Sequence, residues 1–354
     1  MLLAWLILIP LIGGLLCWQS DRFGNLPRWI ALLTMLTVFA LSLWLWSVGD
    51  YSLARGIHDA PQWQMQFRQA WIPHLGISLH LGVDGLSLWF VPLTAFITVV
   101  VIISAWEVIT ERVAQYMGAF LILSGLMIGV FCALDGMLFY VFFEATLIPM
   151  YIIIGVWGGQ RRVYAAFKFF LYTLAGSLLM LVAMIFLYYK SGGSFDIATW
   201  HKLPLPMPAQ ALLFFAFFAA FSVKVPMWPV HTWLPDAHVE APTPISMILA
   251  GVLLKMGAYG LFRISYPILP AAAHYFAYSL AILAVINILY GALCAMAQTD
   301  FKRLVAYSSI SHMGFVLLGI AIMTPGGFQG AMFQVIAHGI SSPMCFFLVG
   351  VIYD

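Results

Sequence analysis

Eleven apolar windows, each long enough for a membrane-crossing helix of about 20 residues, constrain this chain more than any other feature. They lie near residues 2–19, 28–48, 84–106, 113–133, 135–157, 164–189, 209–235, 244–265, 273–297, 302–323 and 328–352, and proline, glycine or charged residues separate them. Inside a bilayer every backbone N–H and C=O must find a partner within the protein, which leaves helices as the economical solution for windows of this length. The pattern predicts an all-α polytopic membrane protein whose seventh span is interrupted. Composition agrees: 64% of the 354 residues are hydrophobic and 8% are charged, against about a quarter charged in a soluble domain. The first window, MLLAWLILIPLIGGLLCW, has neither a basic leader nor a small-residue cleavage site and reads as a first span rather than a signal peptide.

Several function classes drop out at this stage. The net charge is +2 with no basic run, so nothing points to nucleic acid. Cys17, Cys132, Cys294 and Cys345 sit in apolar stretches without CxxC spacing, which argues against a disulfide framework, a zinc site or an iron–sulfur site. Neither a nucleotide-binding glycine loop nor a Ser/His/Asp order is present. The connection from 49 to 83 alternates at Trp63, Met65, Phe67 and again at Leu75, Ile77, Leu79, Leu81, which predicts a small external β-hairpin lying on the membrane surface. Alternating the spans puts Arg22, Arg28, Arg112, Arg161, Arg162, Lys302 and Arg303 on one side and Arg55, Arg68, Lys190, Lys202 and Arg263 on the other. The first set lies in short loops, so that side is expected to be cytoplasmic and the N-terminus external.

Ionisable residues inside the windows carry the functional signal. Glu144 stands nine residues past Asp135, Lys255 eleven past Pro244, His312 ten past Lys302 and His338 eleven past Gly327. At about 1.5 Å per residue all four reach roughly 14–16 Å from one interface, and Lys224 falls in the same zone. One polar residue per span at one level predicts a hydrophilic row parallel to the membrane, an arrangement suited to proton relay. For Glu144, Lys224 and Lys255 the rival reading is a structural ion pair; for His312 and His338 it is an imidazole bonded to a backbone carbonyl. Lys168 and Arg263 lie nearer span ends and read as snorkelling side chains. Pro226 has no N–H for the carbonyl of Ser222, and Pro229 has none for that of Val225, so the helix is expected to unwind at Lys224 and free carbonyls to hold water beside it. Glu144 is the natural countercharge, and Pro149 frees the carbonyl of Ala145 in its own span.

The loop HTWLPDAHVEAPTP gathers His231, Asp236, His238 and Glu240, but the separation of the two histidines fits no standard metal pattern. Thr243 and Pro244 read instead as N-cap and first position of the next helix. Paired axial histidines for haem would need His312 and His338 to face each other, which is not expected. A faint internal echo, offset by about 166 residues, sets Asp135 against Asp300 and Phe167, Lys168, Tyr172 against Phe333, Gln334, His338, as in repeat-built transporters. A counterpart of Lys224 would then fall at about position 390, beyond Asp354.

Two stretches, VKVPMWPVHTWLPDAHVEAPTPISMILAGVLLKMGAYGLFR and AQTDFKRLVAYSSISHMGF, resemble the signature of the antiporter-like subunits of respiratory complex I, a family shared with multisubunit cation/proton antiporters and membrane hydrogenases. LAWLILIPLIGGLLCW, LGVDGLSLWF and FFEATLIPMYIIIGVWGG are similar to its M-type branch. The resemblance implies a proton-translocating subunit of NADH:quinone oxidoreductase in the cytoplasmic (inner) membrane, built from inverted five-helix repeats. Residues 1–106 would hold the N-terminal helices and hairpin, 107–268 the first repeat, and 269–354 the start of a second. It also implies that Glu144 and Lys224 form the coupling ion pair, that Lys255 is the central relay lysine, and that His312 and His338 continue the path. No cofactor is expected in this chain; NADH, FMN, iron–sulfur clusters and quinone would belong to partner subunits. The expected partners are other membrane-arm subunits, neighbouring antiporter-like subunits among them, and the lipid bilayer. Members of the family continue for three further helices, including a second broken helix with an acidic residue, so the external half of a proton route is expected to lie beyond Asp354. Two rival readings are an Mrp-type sodium/proton antiporter subunit and a scaffold without transport.

Overall fold

The computed structural model describes residues 1–51 and 63–353; Arg55, assigned above to the external side, and Asp354 lie outside them. Among the described residues eleven helical spans are long and apolar enough to cross a membrane, one for each predicted window. In chain order the elements are α1 (Leu2–Gln19), α2 (Leu26–Val48), strands β1 (Gln64–Ile72) and β2 (Ile77–Val83), α3 (Phe90–Val108), α4 (Val113–Cys132), α5 (Gly136–Ala145), α6 (Leu147–Trp157), α7 (Arg162–Lys190), the short α8 (Ile197–Trp200), α9 (Met207–Lys224), α10 (Trp233–Glu240), α11 (Thr243–Ile248), α12 (Leu254–Gly260), α13 (Tyr266–Ile268), α14 (Pro270–Met296), α15 (Phe301–Ala321) and α16 (Pro325–Tyr353). Two π-helical turns, Leu249–Leu253 and Leu261–Ser265, interrupt the span from Thr243 to Ile268.

Packing divides the chain into two units, Met1–Met150 with Gly193–Ile197, and Tyr151–Gly192 with Ala198–Asp354. In the first, α1 crosses α4 where glycines let the backbones touch: a Cβ on Gly14 would meet the Gly118 carbonyl at 2.8 Å, and one on Gly118 would meet that of Gly14 at 2.7 Å. Hydrocarbon offers no hydrophobic drive for helices to associate, so such close van der Waals approach has to supply it. The hairpin forms as an antiparallel pair with Phe67 opposite Leu81 and Gln69 opposite Leu79. Leu75 is not in a strand. It ends a 3-10 turn opened by Pro73, whose missing N–H and fixed φ break the ladder, and Gly76 completes the reversal at φ 64°. On its other edge β2 meets the chain before α5, with Leu134 N–H donating to the His80 carbonyl at 2.8 Å and a bridge between Leu81 and Ala133. Hence His80 to Val83 are buried without alternation.

Asp135 locks this corner. Its carboxylate accepts the Met137 and Leu138 N–H groups as the N-cap of α5, and takes Ser78 N–H at 2.9 Å and Ser78 Oγ–H at 3.2 Å. Burial pushes its carboxyl up from the ordinary value, against the pull of those hydrogen bonds. Asp300 caps α15 by accepting the Arg303 N–H, with φ −96° and ψ 125° against −100° and 129° at Asp135. The two positions paired by the sequence echo thus share one local conformation.

Candidate functional site

The span from Gly136 to Trp157 breaks at Thr146, directly after Glu144 and Ala145, where Pro149 removes the donor for the Ala145 carbonyl; Glu144 and the break lie in the first unit. Glu144 belongs to this unit and the other four predicted site residues belong to the second.

The predicted interruption at Lys224 is present: α9 ends there, and eight residues of turn precede α10. Its hydrogen bonding corrects the expectation of a freed carbonyl at Ser222. Val225 N–H donates to the Phe221 carbonyl at 2.8 Å, Met227 N–H to that of Ser222 at 2.9 Å, and the Trp233 indole to that of Val223 at 3.0 Å. The Met227 N–H therefore takes the Ser222 carbonyl, one of the two that proline was expected to leave for water. Lys224 is 1% exposed, and its ammonium lies 5.7 Å from the centre of the Phe169 ring, within range of a cation–π contact. Gly257 lets α12 pack closely against α9 here, since a Cβ there would sit 2.9 Å from that of Lys224 and 2.8 Å from the Phe221 carbonyl.

Lys255 follows the first π-turn and is fully buried. Its Nζ donates to the Ala250 carbonyl, inside the π-turn, and lies 2.6 Å from Nδ1 of His338 on α16. With the imidazole proton on Nε2, Nδ1 offers its lone pair to the ammonium, and a proton can then pass between the two nitrogens without backbone motion. The His312 ring lies 5.5 Å from that of His338, tilted by 43°. The two imidazoles are therefore neighbours, tilted rather than face to face, because α15 and α16 pack side by side. Gln334 Nε2 donates to His312 Nδ1 at 3.2 Å. His312 also lines a cavity of about 360 Å³ with Ala292, Ala295, Met296, Leu304, Ser308 and Ser311, which has room for water beside the ring.

Other expectations need correction. Lys168 does not snorkel: its ammonium donates to Asp236 at 2.7 Å, and Arg303 reaches the other oxygen of that carboxylate at 3.7 Å. Nor does Arg263, which is 5% exposed and donates through Nε to the Tyr259 hydroxyl at 3.1 Å. The four loop residues considered for a metal turn to separate neighbours: Asp236 to Lys168 and Arg303, Glu240 to Arg161, His238 to a stack on Phe346, and His231 to the edge of Tyr290. The helix after this loop starts one residue earlier than predicted, with Pro242 as N-cap and Thr243 already helical, because the backbone of Pro242 is extended and carries no capping side chain. Asn287 was not singled out from sequence, and Gln334 appeared only in the internal echo, opposite Lys168. Gln334 stands one turn before His338 on the same face, a spacing legible in advance; Asn287 is a lone amide in an apolar span.

Interrupted spans with a lysine and two histidines in line inside the second unit define a class, the polytopic membrane proteins that assemble ionisable groups within the hydrocarbon layer. Residues 133–354 match the family model described as NADH:quinone oxidoreductase/Mrp antiporter, TM. NADH-quinone oxidoreductase subunit M of Pseudomonas aeruginosa is 48% identical over 366 residues, covering 100% of this chain and 72% of that protein. The fold is similar to a chain of respiratory complex I from Thermus thermophilus with bound NADH, with TM-score 0.88 and 32% identity over 100% of this chain and 71% of that one. It is also similar to a chain of the Mrp complex from Dietzia sp., with TM-score 0.83 and 26% identity over 99% of this chain and 37% of that one. The chain belongs to the NADH:quinone oxidoreductase/Mrp antiporter membrane-subunit family.

Proposed function

We propose that this chain is a proton-translocating subunit in the membrane arm of an inner-membrane NADH:quinone oxidoreductase. Redox chemistry, with NADH, FMN, iron–sulfur clusters and quinone, belongs in this reading to partner subunits, and neighbouring antiporter-like subunits flank the chain. Glu144 and Lys224 form the coupling pair, Lys255 is the relay lysine, and His338 and His312 continue the path. The observation that carries the reading is the 2.6 Å approach of Lys255 Nζ to His338 Nδ1 at the buried centre of the second unit. A structural ion pair would place a carboxylate there. The matching caps of α5 and α15 favour inverted repeats beginning at 107 and 269.

The test is proton pumping by the assembled complex in vesicles. Glu144→Gln is expected to abolish the contribution of this subunit and slow coupled turnover, with Glu144→Asp milder, because the lysine loses its countercharge. Near-normal pumping by the Gln variant would overturn the pair. The likeness to the Mrp chain supports sodium/proton exchange as a second reading, which requires proton movement to depend on sodium.

A further inference from the structure

Asn287 is fully buried in α14, on a stripe with Leu280, Ala284, Gly291 and Ala295 that is otherwise apolar and small. Both ends of its amide are committed to other segments. Its Oδ1 accepts the Trp228 N–H at 2.8 Å, and its Nδ2 donates to the Ile310 carbonyl at 3.0 Å. The partners fix the orientation, since one is a donor and the other an acceptor. In a continuous helix the Trp228 N–H would go to the carbonyl of Lys224, four residues back. Proline occupies 226 and 229, so the break has few N–H groups, and Met227 has already given its own to Ser222. Trp228 is thus the donor whose partner decides whether the chain beyond Lys224 stays unwound.

We propose that Asn287 is a positioning residue for proton transfer: it holds the α9–α10 break open by taking the Trp228 N–H, and it ties that break to α15 two residues before His312. The Trp228 N–H has two available arrangements, on the Asn287 amide or on the helix carbonyl, and hydrocarbon forbids leaving it without either. A rearrangement at Lys224 therefore reaches α15 through one side chain, and the crossing of the two helices is tight enough to transmit it: Ser311 Oγ–H donates to the Ile288 carbonyl at 2.9 Å, and a Cβ on Gly291 would meet Ser311 N at 2.7 Å.

This inference rests on the proposed proton-transfer function, and the test separates the two. Asn287→Leu keeps the branched heavy-atom skeleton and removes both hydrogen bonds. Asn287→Asp keeps an acceptor for Trp228 and, as the carboxylic acid, a donor for Ile310. In the assembled complex in vesicles the Leu variant is expected to oxidise NADH at a normal rate while moving fewer protons per NADH, and the Asp variant to restore the wild-type ratio. If the Leu variant does not assemble, Asn287→Ser, too short to bridge both partners, is expected to show the same loss. A wild-type ratio in the Leu or Ser variant would overturn the inference, as would equal losses in these and the Asp variant, which is what simple packing damage produces. Lys255→Arg is the control. If it also pumps normally, the relay through Lys255 on which this inference rests fails; if it loses pumping while Asn287→Leu keeps it, only the role of Asn287 falls.

Discussion

Lys255 has to hold and release a proton if the row works as a relay. Lys255→Arg keeps the charge and removes the release, because guanidinium does not deprotonate in proteins. The expected outcome is an assembled complex that oxidises NADH and moves fewer protons per NADH. Full pumping by the arginine variant would reduce the Lys255–His338 contact to structure. Asp135 offers a purely structural comparison in the first unit. Asp135→Ala removes the acceptor for two α5 N–H groups and for Ser78, a loss on the order of 1–2 kcal/mol by analogy with N-cap deletions. Faster amide exchange at Met137, Leu138 and Ser78 is expected, with α15 unaffected, and unchanged exchange at all three would mean that the cap contributes nothing.

Interruptions do the organising among the helices. Restoring N–H groups with Pro226→Ala and Pro229→Ala lets residue 226 compete with Met227 for the Ser222 carbonyl and gives Val225 a helical donor. The span should lengthen beyond Lys224 while protons moved per NADH decline; a demonstrably straightened helix with unchanged pumping would make the break a packing feature. At the facing helix, Gly257→Ala forces a Cβ against the Phe221 carbonyl and Lys224, both under 3 Å away. Overpacking of this kind costs about 1–3 kcal/mol. The measurement is the thermal inactivation midpoint of the complex, and an unshifted midpoint would show that α9 and α12 yield without strain.

Taken as a whole, a chain with eleven apolar spans has little surface for water and much for lipid or partner helices. The membrane-arm reading expects it to co-purify with flavin- and iron–sulfur-containing subunits, and its proton movement in vesicles to be independent of sodium. A sodium requirement would favour the exchange function suggested by the Mrp likeness. The separation of Glu144 from Lys224, Lys255, His312 and His338 between two packing units gives Glu144→Gln a further use. If the units work together, the substitution alters pumping without altering exchange protection around Lys255.

The spans, the break after Lys224 and the break after Glu144 were legible in the residues, because hydrocarbon demands continuous helices and proline removes the donors they need. Rotation about the helix axis was not: whether His312 turns toward His338, or Lys168 toward Asp236 rather than the headgroups, depends on which helices lie side by side. The same is true of where the freed carbonyls and N–H groups at the break go. Proline announces that bonds are missing, but only packing brings up Asn287 and the Trp233 indole to replace them. The π-turn before Lys255 also left no mark in the residue pattern, because it is a shift of hydrogen-bond register that neighbouring helices stabilise.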